Sequence, residues 1–168
     1  MYIKERKLVF VCIFWLCTVY SVSAQSAFQR GEELFMQNRP MEAVVLLENA
    51  LTQEPRNERI YLYLGISYEQ IGSYDKAIAI LQKGLEVAVL NKDQLYFNMG
   101  NNYAAKGDNN KAREMYSKAL EVKNTFSDAY LNRANVAVKL DSLDEAVRDY
   151  RLYLAMEPLA GRDRRSKR

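Results

Sequence analysis

Histidine is absent from this chain of 168 residues, and its two cysteines, Cys12 and Cys17, both fall in an N-terminal apolar stretch. Beyond position 24 the usual zinc ligands, the thiol nucleophile and the commonest general base are therefore missing. Carboxylates remain for a hard cation or a proton, yet no clustered acidic loop stands out. These absences argue against an enzyme: no catalytic residue, metal site or cofactor is expected. Only three prolines and seven glycines occur, which puts turn-rich all-β architectures at a disadvantage.

What is present suits a folded protein. Hydrophobic residues make up 49% and charged residues 27%, a balance that argues against disorder. The length allows one compact domain or one short solenoid. The formal charge of +3 divides unevenly: residues 1–24 carry +2 and 161–168 carry +4, which leaves about −3 on 25–160. A mildly acidic body lacks the basic stripe of a nucleic-acid footprint, so no nucleic-acid partner is expected.

The first 24 residues read as an address. Lys4, Arg6 and Lys7 precede an apolar run from Leu8 to about Val22, and Val22-Ser23-Ala24 supplies the small residues of a cleavage site. That order predicts a cleavable secretory signal with Gln25 as the new N-terminus. The run of about 15 residues is shorter than the roughly 20 that a spanning helix needs; retention as an N-terminal membrane anchor is the minor alternative. Cys17 follows Phe14-Trp15-Leu16, bulky residues unlike those before a lipid-modified cysteine. The mature chain would then hold no cysteine and owe nothing to disulfides. The expected destination is periplasmic or otherwise extracytoplasmic.

Self-comparison reveals a repeat. The clearest unit contains Tyr61, Leu64, Gly65 and Tyr68, then Gly72, Tyr74, Ala77, Leu81, Gly84 and Leu85. Thirty-five positions on stand Tyr96, Met99, Gly100 and Tyr103, then Gly107, Ala112, Tyr116, Ala119 and Leu120. Another 34 on come Tyr130, Ala134, Ala137, Ala146, Tyr150 and Leu154, closed by Pro158. Stepping back from the clearest unit gives Ala27, Gly31, Leu34, Ala43, Leu47, Ala50 and Leu51, closed by Pro55. These residues resemble the tetratricopeptide repeat, a pattern of aromatic, Leu-Gly, Tyr, Ala, Phe and Pro at fixed places. The resemblance implies an all-α fold, a right-handed α-solenoid of four helix-turn-helix units. We place them at about 24–57, 58–92, 93–126 and 127–160, with 161–168 left as a basic, disordered tail.

The spacing has a physical reason. Tyr61, Leu64, Gly65 and Tyr68 sit at i, i+3, i+4 and i+7, one stripe of a first helix; Ala77, Leu81, Gly84 and Leu85 form the matching stripe on a second. Small residues in both stripes permit close helix approach. Gly72 and Gly107 mark the turns, and Ser73 or Asp75, Asp108 or Asn109, and Asp141 or Ser142 are candidate caps for the second helices. One hairpin cannot bury its apolar face alone, so each unit is stabilised by its neighbour. The end units depart from the pattern: Ala27, Arg30 and Pro40 in the first, Arg133 and Ala137 in the fourth.

The resemblance also implies a concave groove lined by the first helices, where a protein or peptide partner would lie extended or as a short helix. The corresponding positions hold Phe28, Glu32, Phe35 and Met36; Arg59, Leu62, Tyr63, Ile66, Glu69 and Gln70; Gln94, Phe97, Asn98, Asn101 and Ala105; and Asp128, Leu131, Asn132, Asn135 and Lys139. Asn98 and Asn132, like Asn101 and Asn135, are 34 apart. Asparagine amides can both donate to and accept from an extended backbone, so these four resemble the asparagine ladder of some such proteins; a solvated helix face is the alternative. The lysines of carboxylate-clamp repeats are replaced by Phe28, Leu62 and Phe97. With Tyr63 and Ile66 these leave the first half of the groove apolar enough for leucine or aromatic side chains. No capping helix follows Leu159, so Val147, Tyr150, Tyr153 and Leu154 are expected to leave an apolar end suited to self-association or docking. The tail is read as solvated, with contact to an anionic lipid surface or acidic partner as the minority reading. The functional expectation is a non-enzymatic interaction scaffold of the cell envelope; the alternative is a periplasmic chaperone or adaptor holding extended segments of exported proteins.

Overall fold

The computed structural model describes residues 25–156; the address segment 1–24, Pro158 and the basic tail 161–168 lie outside them. Among the described residues eight helices form and no strand: α1 (Ala27–Met36), α2 (Pro40–Gln53), α3 (Glu58–Gln70), α4 (Tyr74–Val87), α5 (Lys92–Ala105), α6 (Asn109–Val122), α7 (Ser127–Lys139) and α8 (Leu143–Met156). They pair as α1/α2, α3/α4, α5/α6 and α7/α8, one hairpin to each unit of the sequence repeat. None is long and apolar enough to cross a membrane.

The turn inside each hairpin is built in the same way four times. Asn38, Gly72, Gly107 and Asp141 occupy equivalent places and all have positive φ, between 56° and 81°. The next residue returns a backbone N–H to the carbonyl five positions earlier: Arg39 to Leu34, Ser73 to Tyr68, Asp108 to Tyr103 and Ser142 to Ala137. This is the Schellman ending, which uses a left-handed residue to satisfy the last free carbonyls of a helix. Glycine adopts that conformation freely, and Asn and Asp are the side chains that tolerate it best. Asp141, read from sequence as a candidate cap, is therefore the turn residue. Of the other candidates, Ser73 makes no side-chain cap bond, whereas Asp108 accepts from the Lys111 N–H at 3.2 Å. Pro40 opens α2 at its first turn, where a missing N–H costs nothing.

Close packing rests on one recurring contact. A Cβ placed on Gly31 would come within 2.9 Å of Leu47, on Gly65 within 2.5 Å of Leu81, and on Gly100 within 2.5 Å of the Tyr116 ring. Ala134, the fourth member of the series, is fully buried. The small residues of the second helices serve between units. A Cβ on Gly84 would meet Tyr61 of its own unit at 2.8 Å and Leu95 of the next at 3.1 Å. Ala50 and Ala119 are fully buried at the same place. No described helix follows α8, and there the position is Tyr153, half-buried.

Neighbouring units stack through second-to-first contacts (α2 on α3, α4 on α5, α6 on α7), and the first helices also touch one another in order. Between second helices the backbones make no such approach among the described residues, and only the Arg113–Glu145 ion pair at 3.5 Å links α6 to α8. The first helices thus stand closer together than the second ones, which makes their shared face the inner wall of a curved array.

The fastening between the second and third units is unusual. Glu58, at the start of α3, accepts from the backbone N–H of Val89 at 2.6 Å and of Leu90 at 3.1 Å, and from Asn91 Nδ2 at 2.6 Å. Burial pulls this carboxyl's pKa up, but these donors outweigh it and leave it below the ordinary value. A depressed carboxylate stabilises above its unfolded pKa and loses that contribution as pH falls through the folded value. Amide-exchange protection of Val89 and Leu90 should therefore fall roughly tenfold in Glu58→Ala at neutral pH. The wild type should approach the same protection as pH falls below the ordinary glutamate range. Unchanged protection in the variant would contradict this assignment.

Candidate functional site

The inner wall is formed by α1, α3, α5 and α7, and its two halves differ in chemistry. In the first half Tyr63 stacks edge-on against Phe35, with ring centroids 5.0 Å apart, and lies 6.0 Å from Phe28. Phe28 is buried in the core of the first two units. The Arg59 guanidinium covers both rings, at 5.1 Å from Phe28 and 5.7 Å from Tyr63, and pairs with Glu32. The apolar pocket expected here is thus roofed in part by the protein's own arginine. Tyr63, Leu62 and Ile66 remain half-exposed.

In the second half the structure corrects the reading of four free asparagines. Asn98 is only 6% exposed, and its Nδ2 donates to the Gln94 carbonyl of its own helix at 2.8 Å. It offers little to a guest. Asn101 Oδ1 accepts from the Tyr116 hydroxyl at 2.9 Å and from Asn132 Nδ2 at 3.0 Å. Asn135 Oδ1 accepts from the Tyr150 hydroxyl at 2.7 Å. Tyr116 and Tyr150 are 34 apart, as are Asn101 and Asn135. The in-phase recurrence therefore reflects, in large part, a tyrosine–asparagine tie repeated inside two hairpins. What remains for a partner is Asn101 Nδ2, Asn132 Oδ1 and Asn135 Nδ2, which make no hydrogen bond among the described residues. Phe97 is half-buried and packs on Phe126 at 4.7 Å and on Tyr116 at 5.8 Å, so it holds the residue that caps α7 as well as lining the wall.

Sequence reasoning gave little weight to Glu69 and none to Asn102, which face each other between α3 and α5. Glu69 accepts from Asn102 Nδ2 at 3.1 Å and makes no ion pair among the described residues. Burial raises its pKa, against the opposing effect of the Asn102 bond. Asn102 is wholly buried, and its amide nitrogen also reaches the Asn98 carbonyl at 2.8 Å. Its Oδ1 has no donor among the described residues. The Tyr116 phenol is raised in pKa chiefly by burial, with the Glu69 charge adding to it. Glu69 stood among the groove positions; Asn102 did not, and its burial has no mark in the repeat spacing.

At the far end, Arg133 occupies a place held by Leu64 and Met99 in the middle units, and it is met by a fully buried Asp149. Arg133 Nε and Nη2 donate to the two Asp149 oxygens at 2.7 and 2.9 Å, and Nη1 donates to Ser117 Oγ at 3.0 Å. On the outside of the same helix Leu143, Val147 and Leu154 are 58%, 49% and 67% exposed.

Eight helices in four like hairpins, with an inner wall of mixed aromatic, amide and carboxylate groups, define a repeat solenoid of the protein-interaction class. Two family models, each described as the tetratricopeptide repeat, match residues 56–125 and 97–160, together spanning 56–160. The chain belongs to the tetratricopeptide repeat family. Its fold is similar to solved structures of MamA. One has a TM-score of 0.75 at 21% identity, covering 96% of this chain and 98% of that one. Another has 0.72 at 23% identity, covering 81% and 74%. A MamA RS-1 double mutant has 0.71 at 18% identity, covering 78% and 73%. These likenesses show the right-handed solenoid fold. No match is found among curated protein sequences.

Proposed function

We propose that this protein is a non-enzymatic scaffold of the cell envelope that holds a peptide or partner protein against the inner wall of its four repeats. The observation that carries the reading is the wall itself. It keeps Tyr63, Ile66 and Leu131 half-exposed and adds the Asn101, Asn132 and Asn135 amides, each with one atom that makes no hydrogen bond among the described residues. That mixture suits an extended chain, which needs apolar seats for alternate side chains and polar groups for its backbone. The basic, apolar and small residues in sequence across Lys4 to Ala24 support export. The exposed Val147 and Leu154 on α8 support self-association through that end, and the five bases of 161–168 support a weak contact with an anionic surface.

A chaperone holding many exported chains would draw on freely available backbone-pairing amides. Asn98 is buried, and the carbonyl oxygens of Asn101 and Asn135 are already tied, which favours the scaffold. Crosslinking in the native envelope with identification of the captured proteins tests this. A few stoichiometric partners, lost in a Tyr63→Ala/Ile66→Asp variant that remains folded, are expected. Many substoichiometric unfolded partners would favour the chaperone, and fractionation with the cytosol would remove the envelope assignment.

A further inference from the structure

Among the described residues Glu69 is the one groove carboxylate that is half-buried and without a cation. Glu32 is taken by Arg59. Lys106, one turn beyond Asn102 on α5, bonds to Asp75 instead. Lys76 lies over the Tyr68 ring at 5.5 Å. The groups shown beside Glu69 are neutral: the Asn102 amide from α5, which also donates to the Asn98 main-chain carbonyl, and the Tyr116 phenol from α6. An unpaired carboxylate shielded from water is costly to keep. Beside it the Asn102 carbonyl oxygen is buried and without a donor, a second polar atom at the same spot whose need is unmet.

We infer that Glu69, with Asn102 beside it, is the anchor for a lysine or arginine side chain of a chain lying extended along the inner wall. An ammonium or guanidinium supplies donors and positive charge together, and the neutral amides and phenol around it offer no competing cation. Ile66 stands one turn earlier on the same helix, within side-chain reach of the same guest. It provides a half-exposed apolar seat, so the preferred guest carries a basic residue with an apolar one close by. This inference rests on the inner wall being the binding face.

Panning a phage-displayed dodecapeptide library against the purified protein and its Glu69→Gln variant tests it. The wild type should enrich peptides with Lys or Arg at one fixed position. Glu69→Gln should lose that enrichment and bind the selected peptides about tenfold or more weakly, with its thermal unfolding unchanged. In the wild type, the Glu69 carboxyl followed by carbon-13 NMR should titrate at lower pH once a selected peptide is bound. Enrichment without any basic preference, or an equal basic preference in Glu69→Gln, would overturn the anchor while leaving the groove reading intact. No enrichment at all, or peptides that bind equally well to Tyr63→Ala/Ile66→Asp, would remove the groove reading and the anchor with it.

Discussion

Replacing Asp149 with alanine should destabilise the fourth hairpin by about 3–5 kcal/mol. The charge removed is fully buried, and its loss leaves the Arg133 guanidinium with the Ser117 Oγ, the Tyr130 ring at 5.6 Å and a more distant Glu145 at 3.9 Å. Arg133→Leu should cost a similar amount, because Asp149 would then be a buried anion without its partner. The double change Arg133→Met/Asp149→Met copies the Met99 and Met115 pair of the third unit, which share one apolar cluster. It should recover most of the loss or exceed wild-type stability, as exchanging a buried pair for packed apolar groups often does. Since repeats unfold as coupled units, the single variants should show an early unfolding step confined to α7 and α8. Hydrogen exchange should report lost protection there with α1 to α4 unchanged. Single variants within 1 kcal/mol of wild type would contradict this account of the pair.

Gly84→Ala should destabilise the array by about 1–3 kcal/mol, although alanine favours a helix over glycine by about 1 kcal/mol. The added Cβ would lie 2.8 Å from the Tyr61 Cβ, an atom fixed to the backbone that no rotamer change can withdraw. Gly65→Ala is the comparison. Its new Cβ meets the branched end of Leu81, which can turn aside, so its cost should be the smaller of the two. Because Gly84 touches both Tyr61 and Leu95, its replacement should also weaken coupling between the second and third units. Separation of one denaturation transition into two would report that. A Gly84→Ala variant as stable as wild type would mean that the units are not packed as described.

The helix count, the pairing and the turns at Gly72 and Gly107 were legible because they depend on residue types with few alternatives: small residues at close approaches and glycine at positive φ. The equivalent turns at Asn38 and Asp141 were less legible, since Asn and Asp also serve as caps. Arg133 was seen as a departure from the pattern, but its meaning depends on Asp149, sixteen positions later. The clue was available: Asp149 falls where Ile80 and Met115 are apolar, so both partners depart together. The asparagine recurrence shows the reverse problem. Spacing alone cannot tell an amide facing a guest from one tied to Tyr116 or Tyr150, since both uses keep the same period. Glu69 stood among the groove positions, and only burial and the neutral company of Asn102 and Tyr116 set it apart.

The measurement that bears most directly on the inner wall is site-specific photocrosslinking with the full chain in its native cell. A photoreactive residue at Ile66 or Leu131 should capture a partner at high yield, and one at the outward positions Ala79 or Glu114, which are exposed on second helices, should capture little of it. Capture confined to the outward positions, or equal on both faces, would contradict the claim that the curved side of the repeats holds the guest.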